Sequence, residues 1–90
     1  MKDIERVMKA LANRRRLMIL RHLQKVGKAS VGEIAGSIKL SLKATSKHLR
    51  LLAASDLVEH EQVSLTMIYF LNKPLHPILK TVLTFSNSRE

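Results

Sequence analysis

The sequence predicts a mainly α-helical domain with one small β-hairpin, and three observations carry that prediction. Apolar residues recur at helical spacing in four stretches before residue 55 and in one after residue 76. Between them, residues 58–71 change character and are enriched in β-branched and aromatic side chains. The composition is 46% hydrophobic but only 3% aromatic, so the core has to be built from Leu, Ile, Val, Met and Ala. Ninety residues then make a single domain, 1–90.

The first helix is read over Asp3 to Leu11, where Ile4, Val7, Met8 and Leu11 form an i, i+3, i+4, i+7 stripe and Lys2, Arg6 and Lys9 lie away from it. Asn13 caps a second helix running to about Gln24, with Leu17, Met18, Leu20 and Leu23 expected inward. Its first turn carries Arg14-Arg15-Arg16, against the helix dipole, a local cost that suggests an outside anion, the alternative being an ordinary solvated charge run. Val26 to Ala29 breaks the periodicity, with Gly27 ending the helix and a very short extended segment beside it.

Ser30-Val31-Gly32-Glu33 matches a capping box ahead of Ile34, Ala35 and Ile38, giving a two-turn third helix that stops near Lys39. Ser41 caps the fourth, which runs to Ala54. At 100° per residue, Thr45, Leu49 and Leu52 share one side of this helix, with Leu42 and His48 at its edges. Lys43, Lys47 and Arg50 cluster opposite, with Ser46 beside them. Two short helices with a tight connection, the second bearing a basic face, form a helix-turn-helix. Strands over Val58–Val63 and Thr66–Leu71, joined through Ser64-Leu65, add a wing. Asn72-Lys73-Pro74 ends it, and Pro77 opens a fifth helix striped with Ile78, Leu79, Val82 and Leu83. Ser86 to Glu90 is expected to fray. The fold class is therefore a winged helix-turn-helix of five helices plus wing.

Charge narrows the function. The net is +9, and residues 1–50 hold 13 Lys/Arg against 3 Asp/Glu while residues 51–90 hold 3 against 4. Such a surplus fits a polyanion, and a lipid-binding helix would want Trp or Phe opposite its cations, which the basic residues 1–50 lack. Cysteine is absent, so no disulfide, thiolate metal site or cysteine nucleophile is possible. No nucleophile–base set, Gly-rich phosphate loop or carboxylate pair stands out, so no enzyme activity is expected. Lacking a long apolar run and a signal-peptide layout, the chain reads as cytoplasmic.

Leu11-Ala12-Asn13 followed by Arg16-Leu17 and Ile19-Leu20, then Ser30 to Ala35, Leu40-Ser41, Thr45 to Leu49 with Leu52, and Leu57-Val58 together resemble the ArsR-type (arsenic-repressor-like) winged helix-turn-helix regulators over roughly residues 4–71. The resemblance implies an operator-binding transcriptional regulator, usually a repressor, and a homodimer held by its first and last helices. Those are residues 1–12 and 74–86, with Ile4, Val7, Met8, Leu11, Ile78, Leu79, Val82 and Leu83 as the interface set. On this reading Leu42, Lys43, Ser46 and Lys47 reach base edges or the groove, Leu42 against a thymine methyl. Arg50, with Arg14 or Arg15, holds phosphates, and Arg16 is open to a structural role. The alternative is a winged-helix protein- or RNA-interaction module with a basic surface.

Two departures from the family pattern shape the expectations. Ser30 and Gly32 stand where metal-sensing members carry thiolates, and the last helix region offers His76 with no Asp. His22, His48, His60 and His76 form no ligand pair, so neither a metal nor another cofactor is expected. The wing segment Glu59 to Thr66 lacks the Arg and tip Gly of family wings, and its acidic residues repel phosphate. Its expected role is to pair strands over the core.

Overall fold

The computed structural model describes residues 1–89, with side-chain surroundings given through Ser86. Its elements are α1 (Lys2–Leu11), α2 (Arg14–Val26), β1 (Lys28–Ser30), α3 (Val31–Ile38), α4 (Leu42–Ala54), β2 (Val58–Val63), β3 (Thr66–Leu71) and α5 (Pro77–Arg89). This is a winged helix-turn-helix.

Side-chain oxygens start the middle helices. Asn13 Oδ1 accepts from the Arg16 amide at 3.1 Å and Ser41 Oγ from the Ala44 amide at 3.1 Å. At α3 both halves of the capping box are made: Ser30 Oγ accepts from the Glu33 amide at 3.1 Å, and Glu33 Oε1 accepts from the Ser30 amide at 2.8 Å. Gly27 ends α2 at φ 91°, a conformation that side-chain-bearing residues rarely adopt. After α3 and α4 that role falls to Lys39 (φ 56°) and Asp56 (φ 59°). The Leu40 amide donates to Ala35 O and the Leu57 amide to Leu52 O, both at 3.0 Å, closing the two ends in Schellman fashion.

The sheet has the order β1-β3-β2 and is antiparallel throughout. The short extended segment expected near Gly27 thus becomes a third strand, with Ala29 opposite Tyr69. Val63 pairs with Thr66 across the two-residue loop, and Ser64 takes the left-handed position at φ 59°.

One core joins all five helices and the sheet. Val7, Ile19, Leu20, Ile34, Leu49, Leu52 and Leu79 are completely buried in it. The fold departs from the sequence-based expectation in three places. Met18, read as inward, is exposed, and Ile19 is buried instead. The α2 stripe is centred on Ile19, Leu20 and Leu23, because α3, α4 and the sheet all pack against that side. The wing as a whole does not cover the core: Val58 alone of β2 is buried, while Tyr69 and Leu71 of β3 close the core from the centre of the sheet. The expected frayed tail from Ser86 is helical through Arg89, since no Gly or Pro interrupts α5; Glu90 lies outside the described residues. Among the described residues, no helix is long and apolar enough to cross a membrane.

Candidate nucleic-acid interface

Burying one side of α4 decides what its other side presents. Thr45, Leu49 and Leu52 are fully buried, which turns Lys43, Lys47 and Arg50 into solvent. Leu42, in the first turn, is 60% exposed, and Ser46 is half-buried beside the lysines. The helix contains no acidic residue. Its exposed face therefore offers cations, a hydroxyl and one apolar contact, the mixture a major groove accepts from a helix.

Neighbouring elements add positive charge. Arg15 Nη1 donates to Ile38 O at 3.4 Å, which places the first turn of α2 beside the turn between α3 and α4. Arg14, one residue earlier, points elsewhere: it lines a groove with Leu17, Met18, Arg21 and Ser86. Of the two phosphate candidates, Arg15 sits with α4 and Arg14 does not. Arg16 serves structure, donating to Ala10 O at 2.6 Å and to Lys9 O at 3.1 Å. Its Nη1 also faces Nδ1 of His48 on α4 at 3.5 Å. Burial, then Arg16, Lys47 and Arg15 in turn, hold the His48 imidazole below its ordinary value of 6.5.

The wing is different in kind. No Lys or Arg occurs between residues 51 and 72, and the exposed β2 residues include Glu59 and Glu61. Glu61 is answered from across the sheet by Lys28 Nζ at 3.1 Å, an ammonium that also lies 5.1 Å from the centre of the Phe70 ring. Leu65 at the tip is 95% exposed.

The residues assigned to a dimer surface divide in two. Val7, Leu11, Leu79 and Leu83 are buried within the protomer itself. Ile78 and Val82 are half-buried, while Ile4 and Met8 are 42% and 57% exposed. The two helices adjoin, and Asp3 of α1 lies 3.7 Å from Nε2 of His76, whose Nδ1 accepts from the Ile78 amide at the start of α5. His22 bonds Ser37 Oγ at 3.0 Å, and His60 lies against Tyr69 with ring centres 5.4 Å apart. Among the described residues, no three of His, Asp or Glu gather into a metal-holding group.

Three features escaped the sequence reading. Lys39 is an exposed cation in the turn itself, held there by a left-handed backbone that no local pattern announces. The Arg16–His48 contact spans 32 residues and is invisible to periodicity. Lys28 is drawn to the wing only because β1 joins the sheet.

Residues 11–61, more than half of the chain, match the family model described as a helix-turn-helix domain. No curated protein sequence matches the chain. Among solved structures it is similar to HlyU from Vibrio cholerae, at 31% identity and a TM-score of 0.81, covering 97% of this chain and 90% of that one. The transcriptional regulator HlyU from Vibrio vulnificus is 32% identical at a TM-score of 0.79, covering 97% and 86%. The homodimeric winged helix-turn-helix DNA-binding domain of Mb0332 from Mycobacterium bovis, described as a possible ArsR-family transcriptional regulator, is 29% identical at 0.81, covering 97% and 77%.

Proposed function

Given that the chain belongs to the ArsR-type winged helix-turn-helix family of DNA-binding transcriptional regulators, we propose that it acts as a homodimeric repressor on a two-fold-related operator. The observation that carries this reading is the division of α4 into a buried side (Thr45, Leu49, Leu52) and an acid-free basic side. Leu42, Lys43, Ser46 and Lys47 face the base edges, and Arg50 and Arg15 hold flanking phosphates, with Lys39 beside them. Arg14 is the weaker phosphate candidate, because it turns toward the α5 side. The dimer reading rests on the partly exposed Ile4, Met8, Ile78 and Val82 and on the homodimer named for the Mycobacterium bovis relative. Residues 1–12 and 74–86 supply that surface, and Val7, Leu11, Leu79 and Leu83 stiffen it from behind. A dimer of this kind sets its recognition helices about 34–36 Å apart, one turn of duplex. Occupying the operator is enough to repress, and no metal or cofactor is required.

Selection of bound duplexes from a random library tests the reading, with sedimentation at micromolar concentration beside it. The expected outcome is an imperfect palindrome bound by a dimer. A monomer, or binding without a repeated half-site, refutes the two-fold operator. Tighter binding to RNA than to duplex DNA at matched salt would make the basic surface that of an RNA module instead. Fusing the selected operator to a promoter and measuring transcription with and without the protein tests repression.

A further inference from the structure

We infer that Arg16 is a positioning residue for DNA reading: it fixes the angle of the recognition helix relative to the helix assigned to the dimer surface. The inference rests on the two-fold operator proposed above.

Arg16 stands in the first turn of α2 and is half-buried. Its guanidinium works in three directions. Nε and Nη2 donate to Ala10 O and Lys9 O, carbonyls in the last turn of α1, the second of which also accepts from the Ala12 amide at 3.3 Å. Nη1 faces Nδ1 of His48 on α4. A guanidinium has no acceptor, so this third contact is attractive only with Nδ1 unprotonated and the ring hydrogen on Nε2. The depressed proton affinity of His48 keeps the ring neutral, as that contact requires. A groove of about 390 Å³ otherwise runs between α1 and the later part of α4, bordered by Lys9, Ala10, Leu51 and Ser55 as well as Arg16. Across that groove the planar fork of Arg16 reaches the end of α1 on one side and His48 of α4 on the other.

The same α1 carries Ile4 and Met8. Whatever relates two copies of α1 across the two-fold axis is therefore passed through Arg16 to two copies of α4. A rigid link restricts the dimer to one half-site separation, and a slack one lets it accept several. Lysine cannot replace this fork, since it brings one point charge where arginine brings three directed donors.

The test uses the full chain and the operator obtained by selection, together with versions whose half-sites are moved apart or together by one and two base pairs. The parent should bind a one-base-pair change about tenfold more weakly, because a shifted half-site forfeits base contacts. Arg16→Lys and His48→Leu should bind all spacings within about threefold of one another, keeping the salt dependence of the parent, since no phosphate contact is lost. His48→Asn places an amide oxygen close to the position of Nδ1 and should restore the discrimination. It also tests the link with Arg16 intact should Arg16→Lys fold poorly. Variants that keep the parent's spacing preference overturn the inference. So does an equal loss at every spacing alongside a lower melting temperature, which is the mark of a merely structural contact. A parent indifferent to spacing refutes the two-fold operator itself, and this inference with it.

Discussion

Thr45→Val should stabilise the protein. Thr45 is fully buried on the inner side of α4, and its Oγ1 has no hydrogen-bond partner among the described residues. A buried hydroxyl left unpaired carries a desolvation penalty of about 1–3 kcal/mol. Valine keeps the β-branched shape and has nearly the same helix propensity, so neither packing volume nor backbone preference offsets the gain. The methyl that replaces the hydroxyl adds a contribution of up to about 0.8 kcal/mol from burial beside Leu49 and Leu52. Together these amount to a gain of about 1–4 kcal/mol. For a domain of this size, each kcal/mol moves the melting temperature by about 4–8 °C. Urea denaturation and thermal melts of parent and variant, at one protein concentration because a dimer's Tm depends on it, measure the difference. Operator affinity should be unchanged, since position 45 faces away from the basic side. A destabilised variant would refute the reasoning, by showing that the hydroxyl does have a partner in solution.

Lys43→Ala and Lys47→Ala should each weaken operator binding by about 1–3 kcal/mol if the side chain reads a base, with thermal stability changed by about 0.5 kcal/mol or less; gel-shift titration beside a melt checks both, and parental affinity in both variants would remove α4 from the groove. Leu49→Ala is the contrasting case, costing about 2–5 kcal/mol of stability by opening a cavity at a fully buried site. Arg15→Ala should weaken binding similarly across sequences and flatten the slope of log affinity against log salt by about one, whereas Arg14→Ala should do less, because Arg14 faces the α5 side. The pH dependence has a definite sign. His48 has a depressed proton affinity when folded, so well above pH 6.5 the ring is neutral in both states, and as pH falls through about 6.5 the unfolded chain takes the proton first and stability declines. His48→Asn should shallow that decline in melts taken from pH 7.5 to 5.5, and an unchanged curve would show that the ring is not held neutral.

Much of this protein is written locally. The capping residues Asn13, Ser30 and Ser41 sit where their side chains are needed, and the strand limits at Val58–Val63 and Thr66–Leu71 follow from composition alone. A cap or a hairpin is a contact between residues a few positions apart, so its chemistry can be read from neighbouring letters. The division of α4 into buried and basic sides was legible for the same reason, since 100° per residue decides which side chains share a face.

What the sequence left open depends on which surface each element meets. Periodicity marks an apolar stripe on α2 but cannot centre it, and packing against α3, α4 and the sheet selected Ile19 over Met18. It groups Val7 with Met8 and Leu79 with Ile78, yet only the folded chain shows which of each pair is consumed by the protomer's own core. Three adjacent arginines look alike as letters. Tertiary structure sends Arg14 toward α5, Arg15 to the turn before α4, and Arg16 into a bridge between α1 and His48. Successive helical residues point 100° apart, so neighbours in sequence meet different partners in space, and those partners are fixed by contacts that no local pattern contains.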